Sequence, residues 1–486
     1  MIPMYKLSII GNPILDGYRP SDPSSSTPPR LHLTENESMS DYGNAQRFIH
    51  QHGSKVFYCR AEDTWYFWDG RVWKPDTHNQ IEVFAQNTAR SIFEEIKYIQ
   101  DVGFKTALEK WGRGSLNHAR YVKMLKSASS HLPVSLERFD NDKELLGVGN
   151  GVIDLKTGEL LPPRREYMIS KLCSVNYDPA AKCPRWIRFI EEIFAGNVDL
   201  IRFVKKMVGY WLTGIVSEKC FFILLGESGD NGKTVFIKVL IQLLGDYGID
   251  MPMDSLLRRK PGAQSNDIVR LKGARFISCS EANKQYYFDE ALVKRLTGSD
   301  PITARALYKE HITFQPEGKI VIGTNQIPRF DKEDTAFDNR IRQIPFDVTF
   351  KDGAKDPNLY ETLLGELEGI LVWAVEGCLS WQQEGLGTVP VTESIKHEVR
   401  PNSDLGNFIE VCCEFADNLQ CKSSDLYEAY LTYHEASADS TEPLSKTVFG
   451  SELGKLGIIA THHRDGNYRV GISLKGEATS EPTMTP

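Results

Sequence analysis

No two of the nine cysteines (59, 173, 183, 220, 279, 378, 412, 413 and 421) make a CxxC pair. Cys412, Cys413 and Cys421 have no histidine at zinc-finger spacing. That argues against a structural zinc site and fits reduced thiols. No stretch of membrane-spanning length is free of charges, and the N-terminus lacks the charged-then-apolar layout of a signal. The expectation is a cytoplasmic protein with no membrane partner. Basic excess is missing too: the formal net charge is −8, so any nucleic-acid contact must come from local patches. Residues 1–40 are poor in apolar residues and rich in Pro, Ser, Thr and Asn (Pro20-Ser-Asp-Pro-Ser-Ser-Ser-Thr-Pro-Pro29). They read as a disordered arm, because such a stretch cannot offset its ordering entropy by burial.

What remains is ordinary for a globular chain, with 41% hydrophobic and 25% charged residues in 486, enough for two to four domains. Its centre is Phe221-Phe-Ile-Leu-Leu-Gly-Glu-Ser-Gly-Asp-Asn-Gly-Lys-Thr234. Five apolar residues run into a Gly-rich turn, and Val235 to Leu244 follow with helical spacing. That is the strand, phosphate-cradling loop and helix start of a P-loop. Glycines let backbone N–H groups close around phosphate oxygens, and the helix N-terminus adds partial positive charge. Lys233 would reach the β- and γ-phosphates, and Thr234 would ligate Mg²⁺. The candidate nucleotide-binding residues are Gly226, Gly229, Asp230, Asn231, Gly232, Lys233 and Thr234. Glu227 stands where the usual spacing has its first glycine, so the loop is either one residue longer, counted from Gly226, or entered differently.

Upstream, residues 44–135 read as helical with one short hairpin. Thr64 to Trp73 alternates aromatics around an Asp-Gly turn, which fits a small aromatic core better than a base-stacking face. Asp140 and Asp142 form a DxD whose plainest reading is a polar turn. Pro184–Ile193 and Leu200–Leu212 read as amphipathic helices. Downstream, six basic residues (Arg258, Arg259, Lys260, Arg270, Lys272, Arg275) stand against Asp254 and Asp267. Arg275 to Ser280 is a second buried strand ending at Glu281, an acid placed to polarise water or help hold Mg²⁺. Lys319 to Thr324 is a third strand, ending at Asn325. Two arginines, Arg340 and Arg342, precede a further one. Strands with polar residues at their carboxyl ends imply an open α/β sheet with its site along that edge.

The order P-loop, strand–Glu281, Lys294-x-Leu-Thr-Gly-x-Asp300, Arg305-x-Leu-Tyr, Phe314-x-Pro, Thr324-Asn325 and Arg340-x-Arg-x-Ile-Pro-Phe346 resembles the superfamily 3 helicases. More closely, it is similar to the phage/plasmid and poxvirus-type primase-helicases. Residues 136–180 resemble their helicase-associated domain, and 405–475 their C-terminal winged-helix-like module. The implied fold class is α/β: a P-loop AAA+-like ATPase core with a helical N-terminal helicase-associated domain and a C-terminal winged-helix-like domain. The implied layout is an arm (1–40), helicase-associated domain (41–195), ATPase domain (196–385), linker (386–404), winged-helix-like DNA-binding domain (405–475) and disordered tail (476–486).

Carried over by position, Lys233 and Thr234 bind ATP and Mg²⁺, and Glu281 is the Walker B acid and a second metal residue. Asn325 is the sensor, and Arg340 the finger reaching a neighbouring subunit's γ-phosphate, with Arg342 second choice. Arg305, Lys309 and His311 sit on a DNA-gripping hairpin. The resemblance implies an ATP-driven DNA helicase of phage or mobile-element replication in a bacterial host cell, a homo-oligomer, usually a hexamer, translocating on single-stranded and forked DNA. Larger relatives carry a primase domain ahead of this region, so a separate primase or initiator is expected as partner. The alternatives are an origin-binding initiator using ATP as a switch, and a bifunctional primase-helicase with a site around Asp140 and Asp142.

Overall fold

A computed structural model describes residues 33–226, 229–258, 266–280, 287–305, 311–325, 327–328, 330, 334–350, 356–390, 404–436, 443–455, 458, 460–463 and 466–475. Glu281 and Lys309, together with Arg259 and Lys260 of the basic stretch, lie outside them. The chain divides into two compact units, one running to residue 69 and over 73–138, the other taking 70–72 and everything from 139.

In the first unit, carboxylates and hydroxyls start the helices where the sequence places them. Ser40 accepts from Gly43 N at the head of Asp41–His52, and Asp76 accepts from Gln80 N and Ile81 N (2.7 and 2.9 Å) before Gln80–Glu95. Asp101 does the same for Val102–Ser115. Each satisfies backbone donors that a first turn leaves open. These helices and His118–Ser129 bury Ala45, Phe48, Ile81, Ala85, Ala89 and Met124. Beside them lies a three-stranded antiparallel sheet, β1 (Val56–Cys59), β2 (Thr64–Trp68) and β3 (Trp73–Pro75). Trp68 pairs with Trp73 across the expected hairpin, and Tyr66 and Trp73 are buried. The aromatic alternation therefore serves a packed face.

The second unit opens with an antiparallel meander, β4 (Leu145–Val148), β5 (Gly151–Asp154) and β6 (Glu159–Leu161). Before it, Asp140 is buried in a left-handed turn (φ 52°), and both its carboxylate oxygens accept from Ser170, one from the backbone N–H at 2.8 Å and one from the hydroxyl. The Asp140–Asp142 pair is a polar turn. Helices Pro184–Ile193 and Val198–Trp211 follow.

Next come β7 (Phe221–Leu225), β8 (Gly248–Asp250), β9 (Phe276–Ser280), β10 (Ile302–Arg305), β11 (His311–Phe314), β12 (Lys319–Thr324) and β13 (Ile341–Pro345). Five of them form one sheet in the order β13-β7-β12-β9-β8, every pair parallel. Near-unbroken apolar runs such as Phe221–Leu225 fit strands covered on both faces. One face holds Trp186, Trp211, Phe222 and Phe236, and the other Phe221, Phe288, Ile320 and Phe337. Helix Val198–Trp211 lies so close to Leu367–Glu384 that a Cβ at Gly209 would stand 2.0 Å from Cys378 N; only a glycine admits that approach.

β10 and β11 pair as a separate hairpin with Arg305 opposite His311. The last segment places helices Asp404–Cys412, Ser423–Ala436 and Lys446–Lys455 with an antiparallel sheet of β14 (Cys413–Lys422), β15 (Ala460–His463) and β16 (Gly466–Leu474), ordered β14-β16-β15. Phe408, Leu426, Tyr430, Phe449 and Ile472 form its core.

Two basic residues at the amino ends of β9 and β12 are buried, and the first departs from the sequence reading. Arg275, counted there in a basic stretch, has no exposed surface. It donates to Leu212 O (2.6 Å) and Leu145 O (2.8 Å) and lies 4.6 Å from the Tyr247 ring. It joins the meander and the Val198–Trp211 helix to the amino end of β9. Lys319, at the amino end of β12, is equally buried and donates to Thr213 O and Glu317 O, with burial holding its ammonium well below the usual lysine range. Neither is available to a phosphate backbone.

Candidate nucleotide site

The site is built at the carboxyl end of β7, where the strand has β13 on one side and β12 on the other. Ligands of open parallel sheets bind in the crevice outside those ends. Gly226 leaves the strand, and a Cβ there would meet Asn231 Nδ2 at 2.3 Å, Phe346 O at 2.6 Å and Lys233 Nζ at 2.9 Å. The lysine folds back over this glycine. Asp230 (φ 57°) and Gly232 (φ 86°) turn the chain through left-handed conformations into helix Lys233–Leu244. At Gly232 a Cβ would come within 2.6 Å of Ile193 Cγ2. Gly229 has open space around it.

Lys233 is 7% exposed, and its ammonium donates to Gly226 O and Asn325 Oδ1, both at 2.9 Å. Asn325 stands just past β12, so the loop lysine and the third strand are bonded to each other. Both acceptors are neutral, and burial pulls the Lys233 pKa below its ordinary value. A buried ammonium with no counter-charge among the described residues, at a helix N-terminus, fits an anion such as a triphosphate. Asn231 is buried, and its Oδ1 faces Lys233 N at 3.4 Å. Thr234 is exposed one residue on, where its hydroxyl could take a metal. The strand leading to Glu281 ends at exposed Ser280.

Arg340 is at the other end. Its carbonyl accepts from Phe221 N at 2.9 Å, at the start of β7, so a strand length of about 13 Å separates it from the loop. Its guanidinium donates to Thr297 Oγ1 (3.1 Å) and Lys219 O (3.3 Å), and its Nε is buried without a partner among the described residues. Arg342 instead bonds the carbonyls of Asn339 and Ile341. Of the other expected residues, Arg305 and His311 flank the β10–β11 turn. Sequence reasoning missed that the backbone after β13 clasps the loop: Phe346 N donates to Leu225 O (2.6 Å) and Phe350 N to Asp230 O (3.0 Å). Main-chain bonds of that kind leave no residue-type signal.

A D5 N terminal like family model matches residues 45–195, and one for a family of unknown function (DUF5906) matches 224–341. A protein of Acanthamoeba polyphaga mimivirus named "putative helicase" is 28% identical over 285 residues, 57% of this chain and 28% of its own length. A protein of the same description from Invertebrate iridescent virus 6 is 29% identical over 237 residues, 46% of this chain. One of African swine fever virus, named "putative primase", is 25% identical over 234 residues, also 46% of this chain. Over part of its length the chain is thus similar to viral proteins named putative helicase or putative primase. It spans only 24% to 28% of the length of these relatives. All three are viral proteins, and none supports the expected bacterial host. The solved A-form apo structure of the NrS-1 C terminal region is 10% identical, with a TM-score of 0.36 over 61% of this chain and 78% of that one. Among the described residues, no helix is long and apolar enough to cross a membrane and no cluster of His, Cys, Asp and Glu could hold a metal.

Proposed function

We propose that the chain is the ATP-hydrolysing part of a ring-forming DNA helicase that serves viral or mobile-element replication and translocates on single-stranded DNA. The observation that carries this reading is the Lys233 ammonium, buried at the carboxyl edge of a parallel sheet and bonded, among the described residues, to Gly226 O and Asn325 Oδ1. Both acceptors can be exchanged for phosphate oxygens. Lys233 and the loop N–H groups would hold the triphosphate, Thr234 and Glu281 the Mg²⁺, and Asn325 would align the attacking water. The metal, when bound, neutralises charge on the phosphoryl oxygens.

Arg340 cannot serve its own subunit's loop from the far end of β7, which suits an arginine acting on a neighbour. That requirement supports a ring, a hexamer by resemblance, because a finger supplied in trans raises phosphoryl-transfer rates by several orders of magnitude. The β10–β11 hairpin, with Arg305 opposite His311, is the proposed grip on DNA, and Lys309, outside the described residues, its proposed phosphate contact. The 405–475 segment is the proposed winged-helix-like contact, and 196–385 the proposed AAA+-like core. Asp140 is fully engaged by Ser170, which weighs against primer synthesis there.

Strand displacement on 3′- and 5′-tailed duplexes tests the reading. ATP-dependent displacement from one tail polarity is expected. Arg340→Ala should bind ATP and hydrolyse it about a thousandfold more slowly, with part of the activity returning on mixing with Lys233→Ala. DNA-stimulated hydrolysis without displacement would favour the initiator alternative.

A further inference from the structure

The Lys294-x-x-Thr297 pair has no place in the nucleotide site, yet it grips the segment that presents Arg340. Both residues belong to helix Glu290–Leu296 and its C-cap, three positions apart and so on one face. The segment they meet begins at Asp334, which caps the turn Thr335–Asp338 by accepting from Phe337 N at 3.1 Å. It ends at Arg340, whose N–H donates to Phe337 O at 2.9 Å. Lys294 forms an ion pair with Asp334, which holds that carboxyl below its ordinary range. Thr297, 2% exposed, donates its hydroxyl hydrogen to Val293 O at 2.8 Å, leaving the oxygen to accept from Arg340 Nη1. The two ends of a seven-residue segment are therefore fixed to one helix.

We infer that Lys294 and Thr297 are positioning residues for Arg340, a clamp that sets where the guanidinium leaves the subunit. The hydroxyl is suited to this because its direction is fixed by the Val293 carbonyl, while its neutral bond and that of Lys219 O hold the arginine loosely enough to be exchanged for phosphate oxygens. Among the described residues Nε has no partner, so this resting arrangement leaves one of the arginine's donors unused there. The inference rests on the reading of Arg340 as a finger.

The test is steady-state ATP hydrolysis by the assembled full chain. Thr297→Val and Thr297→Ala should lower kcat about tenfold, the scale of a misplaced catalytic group, with KM for ATP within about twofold of wild type. Thr297→Ser, which keeps the hydroxyl, should restore kcat. Neither Thr297→Val nor Thr297→Ala should add to the defect of Arg340→Ala, because each acts through that arginine. Lys294→Ala, at a half-buried position, should give a smaller kcat loss of the same kind. If Arg340→Ala is slow while the Thr297 variants hydrolyse at the wild-type rate, the clamp is overturned and the finger stands. If Arg340→Ala itself hydrolyses normally, the finger reading fails and the clamp with it. A Thr297 defect that adds in full to Arg340→Ala also overturns the clamp. Melting of each variant, and assay below the lowest transition, keeps a folding defect apart from a kinetic one.

Discussion

Lys233 and Arg275 are both buried cations whose acceptors include backbone carbonyls, at opposite ends of one parallel sheet. Arg275 stands at the amino end of β9, and its two acceptors, Leu212 O and Leu145 O, come from chain segments packed over it. Lys233 stands past the carboxyl end of β7, on a loop with open space at Gly229, and its acceptors belong to that loop and to exposed Asn325. Burial is therefore not what separates structural from functional cations here. The difference is whether the acceptor can be replaced. Carbonyls locked under packed helices bind the same donor permanently, whereas those at an open edge can yield to a better anion.

The sharpest way to break this comparison is to remove each charge. Lys233→Ala should abolish ATP hydrolysis and the thermal stabilisation that ATP confers by mass action. Without nucleotide it should melt within about 1 kcal/mol of wild type, since its acceptors can turn to water. A variant that hydrolyses ATP normally would remove the nucleotide assignment. Arg275→Met should do the reverse. Two buried carbonyls lose their donor, so unfolding in denaturant should show a loss of roughly 3–5 kcal/mol, with the KM for ATP unchanged in whatever protein remains folded. Equal effects of the two variants on stability would dissolve the distinction.

A buried base in the other unit gives a smaller, titratable version of the same contrast. His52 lies between Phe48 and Phe84, stacked on Phe84 at 4.9 Å, and burial together with nearby Lys55 lowers its pKa from 6.5 to about 4. The folded form holds the imidazole neutral while the unfolded chain protonates it near 6.5. The unfolded state thus binds more protons between those values, and stability is complete above pH 6.5 and falls as the pH drops toward 4. The shift corresponds to about 3 kcal/mol at most. His52→Leu should flatten that part of the pH–stability curve, as read by chemical denaturation from pH 4 to 7. An unchanged slope would mean that His52 is not the group responsible.

Much of the second unit was legible in residue order. The run Phe221–Leu225 into Gly-rich turn and helix needed no partner to be recognised, because strand, loop and helix are all local events. The same holds for the Thr64–Trp73 hairpin and the two helices before β7. Cysteine spacing and the charge-broken apolar runs likewise bounded the class of protein.

Other features depend on contacts between residues far apart in the chain. Nothing in Arg275 distinguishes it from Arg258, yet one is buried under Leu212 and Leu145 while the other reaches Glu290 at the surface. The convergence of Asn231, Phe346 and Lys233 on Gly226 likewise joins separate parts of the chain. Thr297 and Arg340 are 43 positions apart, and no local pattern links a helix cap to an arginine before a strand. Sequence by itself determined the local elements and the chemistry of the loop, because hydrophobic period and glycine content act within a few residues. Tertiary structure alone decided which cations face solvent, which strands neighbour β7 and what holds Arg340, because those outcomes depend on where distant backbone carbonyls come to rest.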